Sequence, residues 1–263
     1  MCCLFVFWGC DNTNLELATQ AGIDAIKAAT LSDEDIKRLA ANASKQSDSQ
    51  NTIAGIVNPY GMRLEKLVGD RYNSNGYVFD FKVYLSPRIN AFAMADGTIR
   101  IYSGLMDMMS DEELLFVVGH EMGHVVKNHI KKKIMLAYAA SAVRKGIASQ
   151  DNLVGDFARS SLGGLTQTLL NAQFSQAEEK EADDFGLLFL KNHGFDISAA
   201  ISALKKLDGL GQNHSFLSSH PDPAMRAERL QKQILSPEKT EAQSLLDKFH
   251  SFLDNSILKK LLW

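Results

Sequence analysis

At 263 residues, with 45% hydrophobic and 22% charged side chains, the chain can bury one sizeable core or two small ones. Its formal net charge of −3 gives no basic surface, so no nucleic-acid partner is expected. Its three cysteines, Cys2, Cys3 and Cys10, all fall in the first ten residues, so cysteine chemistry has no part in the fold of the rest.

The first segment stands apart. Leu4-Phe5-Val6-Phe7-Trp8-Gly9-Cys10 resembles the end of a bacterial lipoprotein signal, with a small residue before a modifiable cysteine. Trp8 is bulky for its place, and the segment is short and lacks a basic start, as if the chosen start lay downstream of the real one. Residues 1–10 are read as a partial signal. A lipidated Cys10 would attach the chain to the inner or outer membrane on the periplasmic side. Elsewhere the most apolar stretch, residues 134–143, is too short to span a bilayer and ends at Arg144-Lys145. No internal repeat is present.

A helical lead follows. Leu15–Thr30 reads as one helix. Ser32 with Asp35 starts another, expected to fade into a polar loop over 44–51. Residues 60–70 form a third, with Leu64, Leu67 and Val68 inward. Asn73-Ser74-Asn75-Gly76 is a turn. Residues 77–85 alternate as a half-buried strand, with Phe79, Phe81, Val83 and Leu85 on one face and Asp80 and Lys82 on the other. Asp96-Gly97 between Ala91-Phe92-Ala93 and Ile99-Arg100-Ile101 predicts a hairpin.

Next comes His120-Glu121-Met122-Gly123-His124, an HExxH pentad. On a helix, two imidazoles four residues apart share a face and can hold one zinc ion. The glutamate beside the first can take a proton from a water on that ion. The flanks make the pentad helical. Ser110 and Glu113 form a capping box, and Leu114, Leu115, Val117, Val118, Met122, Val125 and Val126 recur at helical spacing. Lys127, Lys131, Lys132 and Lys133 are expected near the far end, where the helix dipole favours cations.

A catalytic zinc usually has three protein ligands and an open position. The HExxHxxGxxH solution fails here, because Lys127 replaces its glycine, Ile130 its last histidine, and His129 is one residue out of register. A glutamate on a later helix is the alternative. The run Glu178-Glu179-Lys180-Glu181-Ala182-Asp183 opens a helix through Phe185, Leu188 and Phe189 that stops at His193-Gly194. Glu181 lies off its apolar stripe, while Glu178 and Glu179 both border it. Spacing favours Glu179, with Glu178 the alternative: Glu179 stands four residues before Asp183, so it can ligate while Asp183 receives a ring N–H from a ligand histidine. Gly186 continues that row and permits close helix approach.

Residues 135–172, with Gly163-Gly164, suggest a helix and loop that cover the cleft as a lid. His220 falls just before Asp222, a good cap, and Pro223, a good first helical residue. His129, His193, His214 and His250 read as turn, surface or helix-end groups. Residues 245–263 read as an amphipathic helix with Leu246, Phe249, Leu253, Ile257 and Leu261 on one side.

The HExxH helix, the ExxxD helix, Asn90-Ala91-Phe92-Ala93-Met94-Ala95-Asp96-Gly97 and Tyr102-Ser103-Gly104-Leu105-Met106 resemble, in that combination, the HtpX and CAAX-prenyl-protease family of gluzincin metallopeptidases. The likeness spans about residues 31–230. It implies an α+β, mostly helical, zincin-like fold with a small antiparallel sheet beside the HExxH helix. Residues 11–235 would be the peptidase domain and 236–263 a C-terminal helical extension. His120, His124 and Glu179 would hold one Zn2+, with Glu121 the catalytic base. Asp183 matches an aspartate sometimes assigned as proton donor. His220 matches a histidine that stabilises the oxyanion or fills the open zinc position, and Arg226 an arginine often found after it. The resemblance also assigns substrate-strand pairing to residues 90–95, and implies misfolded envelope proteins as substrates. The competing expectation is a chaperone-like or regulatory binding module whose zinc site is closed by His220.

Overall fold

The computed structural model describes residues 15–69, 73–74, 76–148, 173–211 and 215–235. Helix α1 spans Leu15–Thr30 and α2 Asp33–Ser49. Ser32 Oγ accepts the Asp35 amide while the Asp35 carboxylate accepts the Ser32 amide, closing the expected capping box. The polar loop expected at 44–51 is instead the last turn of α2 and its exit. Its polar groups have partners: Ser44 Oγ donates to the Ala40 carbonyl, and Asp48 pairs with Arg100 and Lys82. The local Ser44 bond and the tertiary pairs of Asp48 together override the loop-like composition there.

Helix α3 is Pro59–Val68, capped by Asn58, with Leu64, Leu67 and Val68 buried as expected. Two residue pairs, β1 Asn73–Ser74 and β2 Tyr77–Val78, face one another antiparallel. Strands β3 Asp80–Tyr84, β4 Ala91–Ala93 and β5 Thr98–Tyr102 form a sheet in the order β3-β5-β4. The predicted hairpin is present: β4 and β5 are antiparallel, and Gly97 turns at φ +94. The sheet is mixed, however, and not antiparallel throughout, because β3 runs parallel to β5. The Asp-Gly turn specifies only the β4–β5 pair. After β3 the chain crosses to the far edge, lays down β4, and returns through the middle. All five residues of β5 are buried, as a central strand requires, and β4 keeps a free edge within this sheet.

Helix α4 is Ser103–Met108 and α5 Asp111–Val126. The Ser110–Glu113 capping box starts α5, which is buried along nearly its whole length. It ends sooner than its charge pattern predicts. Lys127 caps it, Asn128 takes the left-handed φ of 59, and a new helix, α6 His129–Ala148, begins. Lys131, Lys132 and Lys133 therefore belong to α6 and do not complement the dipole of α5. Then follow α7 Gln176–Asn192, α8 Ser198–Asp208, α9 Ser215–Ser219 and α10 Pro223–Leu235.

The core lies around α5, which packs on β4 and β5, on α7 and on α8. Helices α5 and α7 approach closely. A Cβ on Gly119 would come within 3.0 Å of Gly186 Cα, and one on Gly123 within 3.0 Å of Ala182 Cα. No described helix is long and apolar enough to cross a membrane. The signal segment 1–10, the glycine-bearing part of the proposed lid, His214, His250 and the extension 236–263 lie outside the described residues.

Candidate metal centre

Helix α5 points His120 and His124 from one face, one turn apart. Helix α7 crosses that face with Glu179 and Asp183, also one turn apart. The close glycine contacts let the carboxylates reach the imidazoles. His120 Nε2 lies 3.0 Å from His124 Nε2, and Glu179 Oε1 lies 3.4 Å from His124 Nε2. His220, held at the end of α9 by the hydrogen bond its backbone N–H donates to the Phe216 carbonyl, puts Nδ1 3.2 Å from His120 Nε2 and 3.0 Å from Glu179 Oε1. These four side chains, all buried, each offer one donor atom within 4.8 Å of the others.

That donor set fits a metal ion. A tetrahedral zinc site with bonds of roughly 2.0–2.1 Å separates its ligand atoms by about 3.3 Å, close to the spacings here. Imidazole and carboxylate suit zinc, and the ligand forms are the required ones. Burial holds the His124 imidazole well below its ordinary pKa, hence neutral. Burial would raise Glu179, but the Arg226 charge and His220 outweigh it and keep the carboxyl well below the usual range, hence ionised.

The supporting contacts orient these groups. Asp183 Oδ1 accepts from His120 Nδ1–H at 3.0 Å, which turns the Nε2 lone pair toward the cluster. Arg226 grips Asp183 with Nε and Nη2 at 3.0 and 2.7 Å and meets Glu179 Oε2 with Nη1 at 2.5 Å. Its guanidinium is thus committed to two buried carboxylates and is absent from the wall of the cavity beside Glu121. Glu178 accepts the Ser175 amide in the α7 capping box, which separates it from the cluster. Asp222 precedes α10 as expected, but at φ +56, and its carbonyl accepts the Arg226 amide.

Glu121 is buried and extends into a cavity of about 50 Å³ lined also by His220, Phe174 and the β4-side residues Phe92 and Ala93. Its Oε1 lies 3.4 Å from His220 Nε2 and makes no hydrogen bond among the described residues. The Glu121 carboxylate therefore faces a cavity that His220, one of the four candidate ligands, also lines.

Sequence reasoning passed over three residues here. His129, read as a surface group, is fully buried; its Nδ1 lies 3.0 Å from His124 Nδ1, and its Nε2 3.1 Å from Glu181 Oε2. Phe174 stacks on His124 with centroids 3.7 Å apart. Lys133 extends its ammonium over Phe174. The missed signal was Asn128, a residue tolerant of left-handed backbone, which breaks the helix and returns His129 to the site.

Residues 62–234 match the family model described as Peptidase family M48. The chain is similar to Metalloprotease LoiP of Escherichia coli (strain K12), 40% identical over 232 residues that cover 87% of this chain and 92% of that protein. It is similar also to Metalloprotease YcaL of the same organism, 39% identical over 235 residues with the same two coverages. The Beta-barrel assembly-enhancing protease of Yersinia pestis is 29% identical over 187 residues, covering 66% of this chain and 37% of that protein.

Proposed function

The chain belongs to peptidase family M48 and is a metallopeptidase, and from that premise we propose that it holds one zinc ion on His120, His124 and Glu179 and hydrolyses internal bonds of misfolded or damaged proteins in the bacterial envelope. One observation carries this reading: side chains from α5, α7 and the end of α9 converge with metal-ligand spacing beside a buried, unbonded glutamate oxygen. When bound, zinc would polarise the scissile carbonyl and acidify a water. Glu121 would act as the base, accepting a proton from the attacking water and passing it to the departing amide nitrogen. Asp183 fixes the tautomer of His120. Arg226 holds Glu179 and Asp183 ionised and in place. The β4 edge supplies amide and carbonyl groups for an extended substrate, and His220 offers a ring N–H to the carbonyl oxygen as charge develops there.

The envelope assignment draws on the lipobox-like Leu4–Cys10 run and on the bacterial relatives, one of them named for β-barrel assembly. Lipidated Cys10 would anchor the chain on the periplasmic side of a membrane. Mass measurement on native, membrane-extracted protein should find Cys10 acylated, and an unmodified Cys10 removes the anchor.

The deciding experiment is Glu121→Gln. The variant should keep its zinc and lose about 10²–10⁴-fold of casein or reporter-peptide cleavage. Full cleavage by the variant overturns the assignment.

A second reading has its own observation. His220 Nδ1 stands where a fourth ligand would, within 3.2 Å of both His120 Nε2 and Glu179 Oε1. In that reading the zinc site is closed, and the protein is a self-inhibited peptidase or a chaperone-like binding module. Higher activity in His220→Ala favours the self-inhibited peptidase. Zinc-loaded wild type and His220→Ala that both cleave nothing favour the module.

A further inference from the structure

Lys133 lies on α6 and lines the cavity that holds Glu121, His220, Phe92 and Ala93. Its ammonium sits 3.7 Å from the centroid of the Phe174 ring, the same ring that stacks on His124. Phe174 thus holds the cation at the cavity. Among the described residues this ammonium makes no hydrogen bond and no ion pair. Other part-buried lysines differ: Lys145 pairs with Asp24, Lys131 with Asp33, Lys82 with Asp48. Burial pushes the Lys133 ammonium down to about 8, against the pull of the more distant Glu121 and Glu179, so it is still mostly charged at neutral pH.

We propose that Lys133 is a specificity residue that receives a substrate carboxylate close to the scissile bond. The proposal deepens the peptidase reading and rests on it. Among the described residues this partly desolvated cation has only an aromatic face for company and lacks the anion that buried charges normally have. The cavity walls from Phe92, Ala93, Met94 and Ile134 are apolar, which strengthens the attraction for an incoming anion. Glu121 cannot serve as that anion and also act as base, and His220 already faces it at 3.4 Å. A peptide brings carboxylates of two kinds, an acidic side chain or its own C-terminus. Both present the same chemistry to Lys133.

The test uses the zinc-loaded full chain and two sets of quenched peptides. In the first, both ends are capped and each position flanking the cleaved bond carries Glu or Gln in turn. In the second, an all-neutral peptide ends in a free acid or an amide. Wild type should prefer the acid form by about tenfold in kcat/KM at one position or at the C-terminus, which also distinguishes the two sources. Lys133→Arg should keep most of that ratio, Lys133→Met should bring it near one, and Lys133→Glu should invert it. Should Lys133→Met fail to fold, Lys133→Gln makes the same comparison.

A parallel arm measures peptide Kd by fluorescence anisotropy with the Glu121→Gln protein, alone and combined with Lys133→Met. A Lys133-dependent preference for the acid peptide in that arm, with no cleavage by wild type, would sink the hydrolysis reading and leave the carboxylate site standing. Cleavage with acid-to-amide ratios near one everywhere, or with a ratio that Lys133→Met leaves intact, overturns the Lys133 proposal alone.

Discussion

His129 Nδ1 lies 3.0 Å from His124 Nδ1, on the side of the His124 ring turned away from the metal-ligand cluster. Glu181 accepts from His129 Nε2–H, which leaves His129 Nδ1 to accept the His124 Nδ1–H and leaves the His124 Nε2 lone pair for a metal. Asp183 fixes His120 in the same way from the other side. Each histidine of the pentad is thus set by a partner behind it. His129→Ala should weaken zinc binding by about 10–100-fold, as loss of such partners does elsewhere. His129→Asn, whose carbonyl can still accept from His124, should recover part of it. Competition against a chelator of known affinity gives the values, and an unchanged zinc Kd in His129→Ala removes the orienting role.

The pentad, its capping box and the Glu179–Asp183 pair were legible because local spacing decides them. A helix of known period fixes which side chains share a face. The Asp-Gly turn was legible for the same reason. What local spacing could not settle was tertiary. Nothing near β3 dictates that it runs parallel to β5, because the pairing depends on where β4 goes. Ser47 and Asp48 look like loop residues until Tyr84 and Arg100 arrive from the sheet. His129 stays out of the ligand cluster, as its spacing implied, but its place behind His124 was hidden because one left-handed residue, Asn128, turns the chain before it.

Gly123 and Gly186 set the distance between the two halves of the cluster. A Cβ on Gly123 meets Ala182 Cα at 3.0 Å, and one on Gly186 meets the Phe116 ring at 3.0 Å and the His120 amide at 3.1 Å. Backbone on the far side cannot yield as a flexible side chain would. Gly123→Ala and Gly186→Ala should each destabilise the apoprotein by about 1–3 kcal/mol through overpacking. Both should also weaken zinc binding, because α7 carries Glu179 outward. Unfolding midpoints with and without zinc test this. Wild-type zinc affinity in a clearly destabilised Gly123→Ala would separate packing from ligation.

Arg226 shares one positive charge between two carboxylates. Its guanidinium is buried, bidentate to Asp183, and 2.5 Å from Glu179. Arg226→Met keeps the apolar stem but leaves Glu179 without its cation and Asp183 with only the longer 3.5 Å pair to Arg229. The apoprotein should lose about 3–5 kcal/mol, the usual result of breaking a buried pair from one side. Zinc should restore part of that loss, since it supplies positive charge beside Glu179. Urea titrations of the apo and zinc-loaded variant measure both effects. An Arg226→Met apoprotein as stable as wild type would show that the clamp is dispensable.

Asp48 joins the end of α2 to the central strand of the sheet. Its carboxylate accepts from Arg100 Nε at 2.8 Å and Nη2 at 3.0 Å, and from Lys82 Nζ at 3.0 Å. Arg100 is 1% exposed, so removing Asp48 leaves a buried guanidinium with Asp80 as its remaining carboxylate. Burial would raise the Asp48 pKa, but bonds from Arg100, Tyr84 and Lys82 outweigh it and hold the group well below the usual range. A depressed carboxylate stabilises the fold above its unfolded value, about 4, and that contribution is lost as pH falls through the lower folded value. Asp48→Asn should therefore cost about 3 kcal/mol at pH 7. It should also flatten the fall in stability below pH of about 4. Glu179 and Asp183 are also held below the usual carboxylate range, by Arg226 and the histidines beside them, so the variant curve keeps some slope and the difference between the two curves is the informative quantity. Urea midpoints for wild type and Asp48→Asn measured from neutral pH into acid should converge as pH drops; curves that stay parallel would place the acid sensitivity elsewhere.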